Sequence, residues 1–145
     1  MITKSISSPS WHNAQLRYEN HPLLGDYVYS SSIHSWTNER LSPDGLEFTL
    51  MGRGEKPTDA QLALWSKVEH HLEQLIAEAV GSTTQLLTGK EAGLFSPQEL
   101  FLQQIRIETD MTVILFFGFP REEEVCMWPM VTFTDFTITA TEWTV

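Results

Sequence analysis

The stretch Thr58–Val80 constrains the fold of this 145-residue chain more than any other part of it. Thr58 and Gln61 fit a capping box at the start of a helix, and Gly81 is typical of the residue that ends one. Between them, apolar side chains recur at steps of three and four residues, which gathers them on one helical face. These side chains are Leu62, Trp65, Val68, Leu72, Leu75, Ile76 and Ala79. The pattern predicts one long amphipathic helix with a buried face.

The segments on either side of this helix have the alternation and composition of β-strands. Strands are predicted over residues 26–30, 33–37 and 46–51 before the helix, and over 105–107, 112–119, 125–133 and 136–143 after it. The apolar strand 112–119 is expected at the centre of a sheet, covered on both faces. Ser42–Gly45 predicts a tight turn, since proline and glycine favour its dihedral angles. Ser96–Glu99 carries the signals of a helix start and predicts a short helix to about residue 102.

This order of elements predicts an α+β fold. We expect an antiparallel sheet, because consecutive strands joined by short turns pair in opposite directions. One long amphipathic helix at about 58–80 would pack on the sheet, with a second short helix at about 97–102. The length of the chain predicts a single domain over residues 1–145, in which the Ser-rich residues 1–20 form a loose N-terminal arm.

The net charge of −10 is placed unevenly along the chain. Residues 58–145 carry thirteen acidic and four basic side chains, whereas residues 1–57 carry six acidic and five basic ones. Such a charge opposes binding to nucleic acid or to an anionic membrane. It favours either a basic protein partner or simple solubility, and the sequence leaves both interpretations open.

The sequence predicts a cytoplasmic protein. Its longest apolar run, Val113–Phe119, is far shorter than the roughly 20 residues that cross a bilayer. No N-terminal segment has the basic start and apolar middle of a secretion signal. Cys126 is the only cysteine, so no intrachain disulfide and no multi-cysteine zinc site is possible.

No pattern of residues points to an enzyme, a cofactor or a metal. His70 and His71 are adjacent, and neighbouring helical side chains diverge by about 100°, so they do not jointly bind one metal. Cys126 lies in a predicted apolar strand, where a lone cysteine is usually a small buried side chain. Gly52–Gly54 lacks the remaining residues of both nucleotide-binding glycine fingerprints. We therefore expect a protein without catalytic activity.

The acidic run Glu122, Glu123 and Glu124 is the most suggestive surface feature. One interpretation is a solvated loop that keeps the adjacent apolar strands from aggregating. The other is an anionic patch that contacts a basic partner, with Trp128 as an aromatic anchor of the interface. Trp36 and Trp143 are further candidates for such anchors.

Residues 21–143 resemble a group of short bacterial domains of unknown function. The resemblance rests on His21–Asp26 (HPLLGD), Phe95–Leu100 (FSPQEL), Ile105–Ile107 (IRI) and Val113–Phe117 (VILFF), and on the order of the predicted elements. It implies a structural likeness, and no catalytic residue is transferred by it. Some domains of this kind are suspected immunity proteins, which neutralise a toxin by covering it, and fold-level analogy alone does not establish function.

Three hypotheses of function follow. The first is a small acidic protein-binding domain, such as an immunity protein that binds a basic toxin through Glu122, Glu123, Glu124 and Trp128. The second is an enzyme or small-ligand-binding domain with a site between helix and sheet, using His34 or His71. The third is a self-associating subunit, in which Trp143 and the last strand form a homodimer.

Overall fold

Eight strands form one sheet and follow each other across it in chain order. The computed structural model describes residues 16–31, 33–38, 46–52 and 56–145. The strands are β1 (Leu16–His21), β2 (Gly25–Ser30), β3 (Ser35–Asn38), β4 (Glu47–Met51), β5 (Phe101–Ile107), β6 (Val113–Gly118), β7 (Trp128–Thr134) and β8 (Thr137–Thr144). The pairing of β4 with β5 is parallel, and every other neighbouring pair is antiparallel.

The helical segments lie mainly between β4 and β5. They are α1 (Asp59–His70) and α2 (Leu72–Ser82), followed by short 3₁₀ turns at Thr83–Leu86, Gly89–Glu91 and Pro97–Glu99. A one-turn helix, α3 (Glu122–Val125), connects β6 to β7. Among the residues that the structure describes, no helix is long and apolar enough to cross a membrane.

The prediction of one long helix is wrong, because the helix is interrupted at His71. This residue has φ −108° and ψ 15°, and its N–H donates to the carbonyls of both Lys67 and Val68. The capping box of Thr58 and Gln61 is present as predicted. The apolar pattern does not reveal the break, because buried side chains keep their spacing across it, from Val68 in α1 to Leu75 in α2.

The prediction of an antiparallel sheet is also wrong. The helices between β4 and β5 carry the chain back to the same end of the sheet, so these two strands run in the same direction. The sheet is therefore mixed. The two antiparallel halves, β1–β4 and β5–β8, are joined through this parallel pair.

The predicted short helix at about 97–102 is limited to the 3₁₀ turn Pro97–Glu99. Its capping box between Ser96 and Glu99 is present, but Leu100 is already extended and β5 begins at Phe101. At the N-terminus, the last residues of the predicted arm belong to β1. Residues 1–15 of that arm and the predicted turn Ser42–Gly45 lie outside the described residues.

One side of the sheet packs against the helices and forms the core. Trp65 of α1 and Leu75 of α2 share this core with Leu50, Ile105 and Leu115 of the sheet. The ring of Trp65 stands edge-on to that of Phe48, with 3.8 Å between the centroids. We call this side the helix face and the opposite side of the sheet the outer face.

Candidate functional site

A groove of about 460 Å³, which we call the sheet groove, lies on the outer face. Its lining comes from five strands, β4 to β8, and from the last residue of the chain. The lining residues are Glu47, Gln103, Gln104, Arg106, Phe116, Trp128, Thr144 and Val145. Strand register brings them together: Gln104 lies opposite Glu47 on one side and Phe116 on the other, and Trp128 lies opposite Thr144.

A hydrogen-bond network fixes one wall of the sheet groove. The Glu47 carboxylate accepts hydrogen bonds from Gln104 Nε2 at 2.9 Å and from Thr49 Oγ1 at 3.2 Å. Gln104 Nε2 also lies 3.0 Å from Thr49 Oγ1, which in turn is 3.1 Å from the hydroxyl of Thr37. Because each of these side chains holds its neighbour, this wall keeps its shape without a ligand.

Arg106 brings a positive charge into the sheet groove. Its guanidinium carbon lies 4.7 Å from the centre of the Phe116 ring, which is a cation–π contact. Its ion pair with Glu108 is long, with 3.7 Å between the nitrogen and the oxygen. Its Nε is buried and has no hydrogen-bond partner. A guanidinium has five N–H donors, so Arg106 retains donors for an acceptor on a bound partner.

A β-bulge and a glycine shape the end of the sheet groove next to α3. The pairing of β5 with β6 shifts between Leu102 and Gln104, which makes Gln103 the extra residue. A Cβ on Gly118 would lie 2.6 Å from Gln103 Nε2, 2.7 Å from Glu122 Oε2 and 2.7 Å from Phe101 Cζ. Gly118 therefore lets these three side chains close over the backbone of β6. Phe101 remains 49% exposed beside them.

The three acidic residues of α3 have different roles. Glu122 accepts hydrogen bonds from Gln103 Nε2 and from the backbone N–H of Phe119, both at 3.2 Å, so its carboxylate holds the local structure. Glu124 forms an exposed ion pair with Arg121 at 3.4 Å. Glu123 is exposed and forms no ion pair within the described residues. Glu123 and Glu124 are therefore the two carboxylates that can reach a partner.

The tryptophans considered as anchors lie in different surroundings. Trp128 is half-buried and lines the sheet groove. Trp36 is 2% exposed and belongs to the core. Trp143 packs against Phe95 and Phe119, with ring centroids 6.0 Å and 6.1 Å away, so its ring already has partners within the chain. Trp128 is the one of these three that is available to a groove ligand.

The four residues predicted to bind a partner lie next to one another in the structure. Glu122, Glu123 and Glu124 are the first three residues of α3, and Trp128 begins β7 three positions after the last residue of that helix. Gln103 connects α3 with Trp128, because it lines the sheet groove beside Trp128 and donates a hydrogen bond to Glu122 of α3. This adjacency makes the four residues a candidate site, and their binding role stays a prediction.

Sequence reasoning missed most of the sheet groove. The missed lining residues are Glu47, Gln103, Gln104, Arg106, Phe116, Thr144 and Val145, and Phe101 beside the groove was missed as well. The alternation of Arg106 with the buried Ile105 and Ile107 could have placed it on the outer face. The sequence does not show which residues of β4 and β6 lie beside it, because that depends on the register between strands.

Among the described residues, the histidines and the cysteine form no second site of this kind. His34 lies between β2 and β3 with φ 51°, whereas His71 lies at the break between α1 and α2. Within the described ranges, no group of three or more His, Cys, Asp or Glu side chains could hold a metal ion. Cys126 is exposed and ends α3 in a left-handed conformation, so its expected burial in a strand is wrong.

Comparisons with protein-family models, curated proteins and solved structures gave no match to this chain. The resemblance to short bacterial domains therefore stays a prediction. The geometry of the chain itself has to carry the argument for its function.

Proposed function

We propose that this protein is a small acidic protein-binding domain that holds a basic partner against the sheet groove and α3. One observation carries the proposal: the 49% exposed Phe101 and the Glu122 carboxylate of α3 both close over Gly118, and Glu122 is hydrogen-bonded to Gln103, which lines the groove together with Trp128. Aromatic anchors bordered by charged side chains are the usual composition of a protein interface.

The charge of the chain supports a basic partner. The acidic excess lies in residues 58–145, which include α3 and seven of the eight lining residues of the groove. A surface of one sign speeds association with a partner of the opposite sign and disfavours partners of the same sign. The same charge disfavours nucleic acid and anionic membranes.

The sheet groove is suited to binding because it is already formed. The network around Glu47 and the contacts over Gly118 hold its walls in place. A preformed site loses little conformational entropy when it binds, so more of the contact energy appears as affinity. The terminal N–H groups of the partly exposed Arg106 side chain, which lines the groove, would donate to a carbonyl or carboxylate of the partner and fix the orientation of the complex.

Neutralisation of a toxin is the activity that we propose for such binding. A toxin with a basic cleft, such as a nuclease, has the charge that complements Glu123 and Glu124. Occupation of that cleft by α3 would exclude the toxin's anionic substrate. In this proposal the protein acts by covering its partner and performs no reaction of its own.

The proposal is tested by reversing the two exposed carboxylates of α3, with Glu123→Lys and Glu124→Lys in one variant. Glu122 is left unchanged because its carboxylate holds Gln103 and the Phe119 backbone. The matched control is Glu69→Lys with Glu78→Lys, which makes the same charge change at exposed sites on α1 and α2. Both variants and the original chain are used as bait for proteins encoded near this gene and co-expressed with it.

We expect one basic protein to bind the original chain and the control, with affinity that falls at high salt. Its affinity for the α3 variant should fall by about tenfold, since two surface contacts become repulsive. An equal fall in affinity for the control variant would show that the net charge of the chain drives binding without a defined site. Unchanged affinity for the α3 variant would contradict this placement of the interface.

A further inference from the structure

A second groove follows the flank of the two main helices, on the helix face and away from the sheet groove. One cavity of about 340 Å³ is lined by α1 and by the turns at the ends of β5–β6 and β7–β8. A neighbouring cavity of about 240 Å³ shares Lys67 and Phe136 with it. The lining residues are Ala60, Ala63, Leu64, Lys67, Met111, Val113, Asp135 and Phe136, continued by His71 and Gln74. We call the two cavities together the helix groove.

The helix groove continues across the break at His71. Its helical residues run from Ala60 to Gln74 at spacings of three or four, with Ala63 and Leu64 side by side, and they form one stripe along a helix surface. At a rise of about 1.5 Å per residue this stripe is roughly 20 Å long. Its shape suits an elongated small molecule better than a compact one.

The opposite wall of the helix groove consists of turn backbone. Met111, Asp135 and Phe136 have positive φ angles of 68°, 51° and 61°. Asp135 and Phe136 form the two-residue hairpin turn between β7 and β8, which requires positive φ at both positions and so fixes the shape of this wall. The Phe136 ring stands edge-on to that of His71, with 5.9 Å between the centroids, and separates the two cavities.

The charges along the helix groove give it a direction. Within the described residues, the Lys67 ammonium forms no ion pair with an acidic side chain. His71 lies one helical turn further on, on the same flank. Lys67 and Asp135 both line the larger cavity, but of these two only Lys67 also lines the smaller one. A ligand carboxylate would be attracted to Lys67 and repelled from Asp135, so it would lie on the side of Lys67 that faces the smaller cavity.

We propose that the helix groove binds a small carboxylic acid with an elongated apolar body. The apolar body lies along Ala63, Leu64 and Phe136 in the larger cavity, and the carboxylate contacts Lys67. A volume of about 340 Å³ is near the lower end of ordinary small-ligand sites, which span about 300–1,000 Å³, so the ligand is small. This binding is independent of the protein partner proposed for the sheet groove.

The test is a titration of the full-length protein with octanoate and with phenylacetate, followed by amide chemical shifts and calorimetry. 1-Octanol serves as the uncharged ligand control. Lys67→Gln removes the cation, and Lys90→Gln is the matched control, because Lys90 is exposed on a 3₁₀ turn and lines neither cavity. Ala63→Phe fills the larger cavity from an exposed helical position that should tolerate it.

We expect saturable binding of at least one of the two acids, with shifts at residues 60–74 and at Phe136. Lys67→Gln should weaken that binding by about tenfold, which is typical for the loss of a charged hydrogen bond, and Ala63→Phe should abolish it. Lys90→Gln should leave it unchanged. Absence of saturable binding by either acid would overturn the proposal, and so would equal affinity in Lys67→Gln or equal affinity for 1-octanol.

Discussion

The two faces of the sheet differ even within a single strand. In β6, Leu115 and Phe117 point to the helix face and are 0% exposed, whereas Phe116 between them lines the sheet groove. The helix face buries its side chains among α1 and α2, and such burial supplies most of the free energy of folding. The outer face keeps an aromatic ring, an arginine and two glutamines at a groove. The comparison indicates that one face serves stability and the other serves recognition.

The polar groups on the two faces differ in the same way. On the helix face, Gln61 is 1% exposed and its amide donates to the Met51 carbonyl at 2.6 Å. Its carbonyl oxygen accepts a hydrogen bond from the Thr58 N–H at 3.2 Å, so both ends of the Gln61 amide are bonded within the fold. The Trp36 Nε1 of the core is buried without a partner and lies out of a ligand's reach. On the outer face, the Arg106 side chain is 34% exposed and lines the sheet groove, so its terminal N–H groups are open to a partner.

The difference between the helix face and the outer face would be contradicted most clearly if neighbouring residues of β6 contributed equally to stability. Leu115→Ala should lower the free energy of unfolding by about 3 kcal/mol, because it leaves a closed cavity in the core. Phe116→Ala should lower it by only about 1 to 2 kcal/mol, since the removed ring leaves a space open to solvent. Urea unfolding of both variants measures these values. An equal or larger loss for Phe116→Ala would show that the outer face contributes to stability as much as the core does.

A smaller predicted effect is the pH dependence of stability that arises from Tyr27 on the helix face. Burial raises the pKa of Tyr27, and the nearby Glu19 carboxylate, 3.4 Å from the phenol oxygen, raises that pKa further. Because the pKa of Tyr27 is higher in the folded state than in the unfolded state, its neutral phenol contributes to the stability of the fold. This contribution is fully present below the ordinary tyrosine pKa of about 10. It is lost as the pH rises through the folded value. Glu19→Gln should lower the pKa of Tyr27 but leave it raised, because burial is the larger cause.

The pH titration of the ¹³Cζ NMR signal of Tyr27 measures its pKa, because that signal is resolved from those of Tyr18 and Tyr29. Asp26→Asn is the control, because the exposed Asp26 side chain is not among the groups that shift this pKa. An unchanged titration in Glu19→Gln would contradict the assigned contribution of Glu19.

The local structure could be predicted from sequence where a single residue or a short periodic pattern of apolar side chains determines it. The capping boxes at Thr58 and Ser96 and seven of the eight strands follow from such signals. The interruption at His71 could not be predicted, because a one-residue break leaves the apolar spacing unchanged. The parallel pairing of β4 with β5 depends on where the helical connection returns the chain.

The candidate site could be predicted only in part for a similar reason. The acidic run and Trp128 are close in sequence, so the sequence alone indicates that they share one part of the surface. The distinction between Glu122 and its neighbours could not be predicted, because it depends on Gln103 at a bulge in another strand. Arg106 and Phe116 meet through the register of β5 with β6.

The central claim is that the outer face binds the partner while the helix face maintains the fold, and Trp128→Ala tests it most directly. Partner affinity and the free energy of unfolding are measured on the same variant. We expect affinity to fall by at least about 2 kcal/mol, as for an interface anchor, and unfolding to change by about 1 kcal/mol or less. Unchanged affinity for the partner, or a loss of stability as large as the loss of affinity, would contradict the claim.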